Sequence, residues 1–132
     1  MLPGLFSQTT FAFTRSILTT VVGSTEVAID KMDAELRMRQ LNIRRTTLLA
    51  SLSRAQQFLN DYEAGRDALQ VPLRLENLDI IWRGLDDTQT EMEQQETTNE
   101  GMVRNLTTRS DFEPKFFQIK AGLLSKIPPP PD

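Results

Sequence analysis

The sequence contains no cysteine and no histidine among its 132 residues. Disulfide bonds, cysteine or histidine zinc sites, cysteine nucleophiles and histidine general bases are therefore excluded. Glycine-rich phosphate loops are absent, and the spacing of the acidic residues does not match a calcium-binding loop. The sequence thus offers no catalytic site, no metal site and no cofactor site, and we expect a non-enzymatic protein.

Long apolar runs and a strong excess of one charge are missing as well. Because no run of about 18 apolar residues occurs, no transmembrane helix is predicted. Fifteen Lys and Arg against 18 Asp and Glu give a net charge of −3, which does not favour nucleic-acid binding. With no recognisable signal peptide, we expect an intracellular, cytoplasmic protein without a membrane partner.

The first 25 residues differ from the remainder of the chain, being rich in Ser, Thr and Phe with one Arg and no acidic residue. Such a composition has features of a transit peptide, but one basic residue is weak support for targeting. We interpret residues 1–25 as an N-terminal arm or helix that docks apolar residues such as Phe11 and Phe13 on the main body.

A sustained heptad pattern over residues 26–63 predicts the first long helix. Apolar residues recur in steps of four and three, and neither Gly nor Pro interrupts them. The seam comprises Ala34, Met38, Leu41, Arg45, Leu48, Leu52, Ala55, Leu59 and Tyr62. Leu36, Ile43, Leu49 and Phe58 widen this stripe. Since one partner helix covers one stripe, the extra residues predict self-association, at least into a dimer.

A second apolar seam predicts a helix over about residues 72–107 that folds back antiparallel on the first, like a coiled coil. The seam residues are Val71, Leu75, Leu78, Trp82, Leu85, Gln89 and Met92. The pattern weakens around residues 97–101. A turn near residue 67 places Arg45 opposite Gln89, and two polar residues in one layer indicate a register-selecting contact. The alternative is that the seam opens at this layer for a partner. The same pairing places Arg54 near Asp79.

Basic and acidic residues are separated along the chain. Residues 67–100 contain 9 acidic and 2 basic side chains. A candidate basic patch in the first helix comprises Arg37, Arg39, Arg44 and Arg45. We expect these arginines to face the acidic helix, so that binding to nucleic acid is at most weak. Binding of RNA or of anionic lipid is the alternative.

A third, shorter helix is predicted over residues 111–127. Ser110 and Glu113 have the Ser-x-x-Glu spacing of a capping box, and an apolar repeat follows them. The residues of this helix that we expect to clasp the hairpin are Ser110, Phe112, Glu113, Phe116, Ile119 and Leu123. Four consecutive Pro residues end the helix, and they predict that residues 128–132 form an extended Pro-rich tail.

The contacts of the clasp are predicted from the same spacing. Phe112 and Phe116 lie one helical turn apart and point the same way. Their nearest large apolar target is the hairpin around Trp82, or the Phe-rich N-terminus if it folds back, and we expect Phe116 and Trp82 to be buried. Arg109 could pair with Glu113 at the i, i+4 spacing.

Two strings in the second half of the chain form a recognisable combination. Leu78 to Trp82 reads Leu-x-x-x-Trp, and Arg109 to Phe116 reads Arg-x-x-Phe-Glu-x-x-Phe. In this order, and over about residues 35–127, the chain resembles the N-terminal Gag region of BEL/Pao-type LTR retrotransposon polyproteins. In that family the region precedes capsid-like, zinc-knuckle and protease segments and has no assigned catalytic activity.

The resemblance implies a Gag-derived structural protein, or a domesticated relative, whose partners are further copies of itself and other Gag segments. Since the chain has no cysteine, packaging of nucleic acid through a zinc knuckle cannot reside in it. A cellular coiled-coil adaptor that binds a partner helix is the alternative. A peripheral membrane or RNA-binding module is a weaker third hypothesis.

Overall fold

A computed structural model describes residues 23–130 of the chain, with side chains from Glu26 onward. Of the described residues 89% are helical and none lies in a strand, which confirms the predicted all-α fold. In chain order the elements are α1 (Gly23–Asn60), α2 (Ala64–Asp67), a 3-10 turn (Ala68–Gln70), α3 (Val71–Gln95) and α4 (Asn99–Leu124). Three long helices therefore make up nearly all of the described chain.

The described residues belong to two compact units, and the boundary lies within α1, directly after Arg39. In the first unit the structure describes residues 23–39, on which the apolar side chains of Val27 and Met32 are exposed. Most of the predicted N-terminal arm, residues 1–25, lies outside the described residues. The second unit contains the hydrophobic core.

That core is built from one apolar stripe on each of α1, α3 and α4. Fully burying a large apolar side chain stabilises the fold by about 1.5–3 kcal/mol relative to leaving it exposed. The buried cluster comprises Leu52, Ala55, Val71, Leu78, Ile81, Leu85, Phe112, Phe116, Ile119 and Leu123. The predicted seams of the first two helices and the predicted clasp therefore meet inside one chain.

A glycine allows α1 to approach α3 closely. A methyl group on Gly84 would lie 3.0 Å from one methyl carbon of Leu48, a seam residue of α1. Glycine inside a helix costs about 1 kcal/mol relative to alanine. At Gly84 the glycine has a packing role, because the absence of a side chain leaves the space that Leu48 occupies.

The turn between α1 and α3 is organised around a buried carboxylate. Asp67 Oδ2 accepts a hydrogen bond from the backbone N–H of Glu63 at 3.0 Å. The Arg66 guanidinium donates to both carboxylate oxygens of Asp67, each at 2.9 Å, and also to the Asp61 carbonyl at 2.7 Å. Pro72 lies in the first turn of α3, as predicted.

Replacing Asp67 by Asn should flatten the acid dependence of stability. The pKa of Asp67 is lowered by the hydrogen bond from Arg66 and then by the N–H of Glu63. A carboxyl group with a lowered folded-state pKa stabilises the fold above its unfolded pKa of about 3.9. This contribution is lost as pH falls through the folded-state pKa. Melting temperatures recorded from neutral pH into acid test this expectation.

The wild-type Tm should therefore fall more steeply below about pH 4 than the Tm of Asp67→Asn, which should already be lower at neutral pH. Asp61→Asn changes an exposed carboxylate in the same turn and serves as the matched control. Equal acid dependence in the wild type and in Asp67→Asn would show that the Asp67 contacts do not stabilise the turn.

The break between the second and third helices lies at residues 96–98, earlier than predicted. The predicted bounds of 72–107 and 111–127 are therefore wrong at this junction. The predicted capping box is wrong too, because Ser110 and Glu113 lie inside α4, where backbone N–H groups bond within the helix. The third helix begins well before them.

Thr98 caps α4 instead. Its Oγ1 accepts a hydrogen bond from the N–H of Gly101 at 3.0 Å. The Glu96 carboxylate accepts hydrogen bonds from the N–H groups of Thr97 and Thr98, at 3.1 and 3.0 Å. A side chain on Gly101 would collide with the Glu96 carboxylate, so a glycine is needed for this arrangement.

The outer ends of the helices lie close to the predicted ones. α1 ends at Asn60 and α4 ends at Leu124, each a few residues before the predicted position. Residues 128–130 lie outside the helices, as predicted for the start of the Pro-rich tail. The last part of that tail, residues 131–132, lies outside the described residues.

Candidate functional site

Aromatic rings pack α4 onto α3. The Trp82 ring stacks on Phe116, with centroids 4.5 Å apart and planes at 23°. The edge contact of Trp82 with Phe112 has a centroid distance of 6.0 Å. Phe116 is 4% exposed, which confirms the prediction that it is buried, whereas Trp82 is half-buried. These residues hold α3 and α4 together, as predicted for the clasp, although they lie in the middle of α4 and not at its start.

Arg109 binds three side chains of α3. Its Nε and Nη2 atoms donate to the two carboxylate oxygens of Glu93, both at 3.1 Å. Nη1 donates to Asp86 Oδ1 at 2.9 Å, and Nη2 donates to Thr90 Oγ1 at 3.2 Å. The hydrogen bond to Glu93 is the main cause that raises the pKa of Arg109. The predicted pairing with Glu113 is wrong, because the guanidinium reaches across to α3.

A polar layer continues from Arg109 through the core to α1. Arg45 Nη1 donates to Gln89 Oε1 at 2.9 Å, which confirms the predicted opposition of these residues. Gln89 is 0% exposed, and its Nε2 donates to Glu93 Oε2 and to the Asn105 carbonyl, each at 3.2 Å. Partial burial lowers the pKa of Arg45. We call Arg45, Gln89, Glu93 and Arg109 the polar layer.

The side chains of the polar layer serve as hydrogen-bond partners for one another. Buried polar groups cost free energy unless each finds a partner, and Gln89 uses both ends of its amide. The layer links α1, α3 and α4 at one level, so shifting any of them along its axis would break these bonds. Among the described residues no three acidic side chains cluster as a metal site. No described helix has the length and apolar character needed to cross a bilayer.

α3, the acidic helix, forms one further ion pair with α4, at a place where the sequence predicted a contact with α1. Asp79 accepts from Lys120 Nζ at 3.1 Å. Arg54, predicted near Asp79, instead donates to the neighbouring Ser51 Oγ at 2.8 Å. The predicted pairing of Arg54 with Asp79 was wrong because it left out α4, whose Lys120 binds Asp79 instead.

The four arginines of the predicted basic patch are divided between the two units. Arg37 and Arg39 belong to the first unit, whereas Arg44 and Arg45 belong to the second. Arg44 is exposed. Arg45 is half-buried and bonded to Gln89, with a second hydrogen bond to Asn42 at 3.2 Å. The guanidinium of Arg45 is therefore occupied inside the chain.

The seam residues predicted for self-association are used internally. Buried members are Leu41, Leu52, Leu78, Leu85 and Gln89. Half-buried members are Arg45, Leu48, Leu59 and Trp82. A buried side chain is not available to a second subunit, so a surface for self-association has to use other residues.

A groove with a volume of about 580 Å³ lies between α1 and α4. Leu49 and Phe112 form part of its apolar lining, and Arg45 and Lys115 contribute cationic groups. The sequence prediction missed this groove because it paired α1 with one helix only. The available signal was Leu49, an apolar residue beside the seam whose partner was not identified.

No protein-family model, curated protein or solved structure matches this chain.

Proposed function

We propose that this chain is a non-enzymatic structural module that associates with copies of itself. The observation that carries the proposal is the exposure of large apolar side chains on every long helix. Ile43 on α1, Ile80 on α3 and Leu106 on α4 are each more than half exposed. Exposed apolar side chains that lie together mark interaction sites, and α4 also carries Val103 and Leu124 at half exposure or more. Its burial contributes about 25 cal/mol per Å².

The residues that widen the seam of α1 divide into two groups. Leu49 and Phe58 pack against the core, so they are accounted for within the chain. Leu36 and Ile43 remain more than half exposed. The apolar surplus predicted from the sequence is therefore smaller than expected, and what remains supports self-association.

The specific form of this proposal is a Gag-like assembly protein that acts in the cytoplasm through contacts with itself and with other Gag segments. The proposal is supported by the position of the two sequence strings that carry the resemblance, which contact each other in the fold. Leu78, Phe112 and Phe116 belong to one core cluster against which Trp82 packs, and Arg109 binds α3 beside it. The strings thus describe one tertiary contact, which a related fold would need to keep.

Sedimentation velocity should show an average mass that rises with protein concentration. Apolar contacts persist when salt screens charges, so the association should remain at high salt. Growth beyond a dimer would favour the Gag-like form of the proposal. A monomer at every concentration would contradict self-association, provided that circular dichroism shows the helices intact.

The groove between α1 and α4 favours a second candidate function, an adaptor that binds a partner helix. The apolar lining of the groove, with Lys115 and Asp111 among its polar groups, suits an amphipathic helix. A strictly monomeric chain that binds such a peptide, and loses binding on Leu49→Arg, would support the adaptor.

Weak binding of RNA stays a prediction.

A further inference from the structure

We propose that α4 is the self-association surface, and that it pairs antiparallel with α4 of a second copy across a two-fold axis. This inference rests on the proposed self-association and names the surface that carries it. The surface lies entirely on one helix of the second unit. It consists of apolar and small side chains that the core does not use.

These side chains form one stripe along α4, which we call the outer stripe. It comprises Val103, Leu106, Ser110, Phe117, Ala121 and Leu124. Its members follow heptad-like spacing and so fall on one side of an α-helix. The exposed fractions are 64% for Val103, 66% for Leu106, 57% for Phe117 and 50% for Leu124. α4 thus carries two apolar stripes: α1 and α3 cover one of them, and the other is touched within the chain where the Phe117 ring lies 6.1 Å from that of Trp82.

The spacing of the outer stripe identifies a helix as its partner. A heptad seam packs against a second seam of the same period, and a second copy of α4 supplies one of equal length. For a helix of this size, one side of such a contact buries on the order of 600 Å², less than the roughly 800 Å² per partner of a standard interface. Both sides together then lie at the border between transient and stable interfaces. We therefore expect a weak, concentration-dependent dimer.

Flanking charges favour the antiparallel arrangement. Glu113 and Lys120 lie on the same side of the outer stripe and carry opposite charges. With Leu106 opposite Leu124 of the partner subunit, Glu113 of each copy comes within reach of Lys120 of the other. In a parallel pair in register, the same flank of the two helices lies on opposite sides of the interface, so these charges would not meet. Lys120 binds Asp79 and keeps 38% of its side chain exposed, which leaves room for a second carboxylate.

A backbone acceptor on the same face fits this arrangement. Pro114 lies inside α4 and has no N–H, so the carbonyl of Ser110 lacks its usual partner in the helix. In the antiparallel register Ser110 lies level with Lys120 of the partner subunit. A lysine ammonium has three donors and can serve this carbonyl as well as a carboxylate.

Matched leucine variants test the surface. Leu124→Glu places a charge in the outer stripe, whereas Leu73→Glu makes the same change at an exposed leucine of α3. In sedimentation equilibrium Leu124→Glu should raise the dimer dissociation constant at least about tenfold, and Leu73→Glu should leave it unchanged. Circular dichroism of both variants should match the wild type, because neither side chain is in the core.

Cysteine crosslinking tests the orientation, since the chain has no native cysteine. Ser110→Cys and Ala121→Cys are small changes at stripe positions that face each other in the antiparallel register. A mixture of the two variants should form a disulfide-linked heterodimer, while each alone should stay largely uncrosslinked. Efficient crosslinking of each variant with itself would indicate parallel pairing and overturn the proposed orientation.

The outcomes separate this inference from the proposed function. A wild-type chain that associates, together with Leu124→Glu that associates equally well, would overturn the α4 surface and leave self-association standing. A wild-type chain that stays monomeric at every concentration would overturn both. A dimer weakened by Leu124→Glu and crosslinked only in the mixture would support both.

Discussion

Phe116→Ala should lower the free energy of unfolding by about 3–5 kcal/mol, the usual cost of truncating a buried phenylalanine. Phe116 stacks on Trp82 at 4.5 Å and belongs to the core cluster shared by α3 and α4. The alanine would remove that stack and leave a cavity that helices anchored on both sides cannot fill. Urea unfolding followed by circular dichroism measures the loss.

The neighbouring residue provides a matched control. Phe117 carries the same side chain but is more than half exposed, with ring contacts to Trp82 and Phe116. At protein concentrations where the chain is monomeric, Phe117→Ala should therefore cost only about 1 kcal/mol. Equal, small losses for both variants would mean that the face of α4 bearing Phe116 does not hold the fold. In that case both rings would belong to an intermolecular surface, and the outer stripe would have to be redrawn.

The periodic pattern predicted the elements of this fold well because apolar spacing reports burial directly. Steps of three and four placed Leu52 on α1 and Leu78 and Leu85 on α3, and all three lie in the core. The polar pair Arg45 and Gln89 was predictable for the same reason. Two polar residues at seam positions have to meet each other if the seams meet.

The apolar pattern weakens around residues 97–101, next to the junction between α3 and α4, but it did not identify a break there because two local signals competed. Ser110 and Glu113 match a capping box, but the buried stripe of α4 passes through Gly101 and Asn105 before it reaches them. Packing therefore keeps this stretch helical. The actual cap at Thr98 depends on the Glu96 carboxylate folding back on the turn, and this contact has no periodic signature.

Charge pairing was the least predictable feature. A long charged side chain can reach several partners, so the distribution of charge along two helices does not determine which ion pairs form. Arg109 could have bonded Glu113 on its own helix, but Glu93 and Asp86 on α3 offer a bidentate and a single contact together. Their geometry follows from the close packing of α3 on α4, which only the structure shows.

Gln89→Leu should destabilise the fold by about 1–3 kcal/mol, because it removes the hydrogen bond that Gln89 accepts from the partly buried Arg45 guanidinium, which then keeps only its bond to Asn42. Arg45→Met should have a smaller effect, since methionine keeps the length of the side chain and Gln89 retains its bonds to Glu93 and Asn105. Chemical unfolding of the two single variants and of the double variant forms a cycle that measures the coupling between them.

The double variant, Arg45→Met with Gln89→Leu, should recover most of the stability lost by Gln89→Leu. Replacing both members of a buried polar pair by apolar groups is often neutral or stabilising, whereas removing one member is costly. Losses that simply add would mean that the two residues act independently, contrary to the 2.9 Å hydrogen bond between them.

A stable double variant would also show what the polar layer does. An apolar seam packs in several registers, whereas a single polar layer is satisfied in one. We therefore expect the double variant to keep its helices but to give broader or duplicated amide signals in NMR spectra, while the wild type gives one set. One sharp set of amide signals from both proteins would indicate that the helix register is determined at Gly84, where Leu48 packs against the bare backbone of α3.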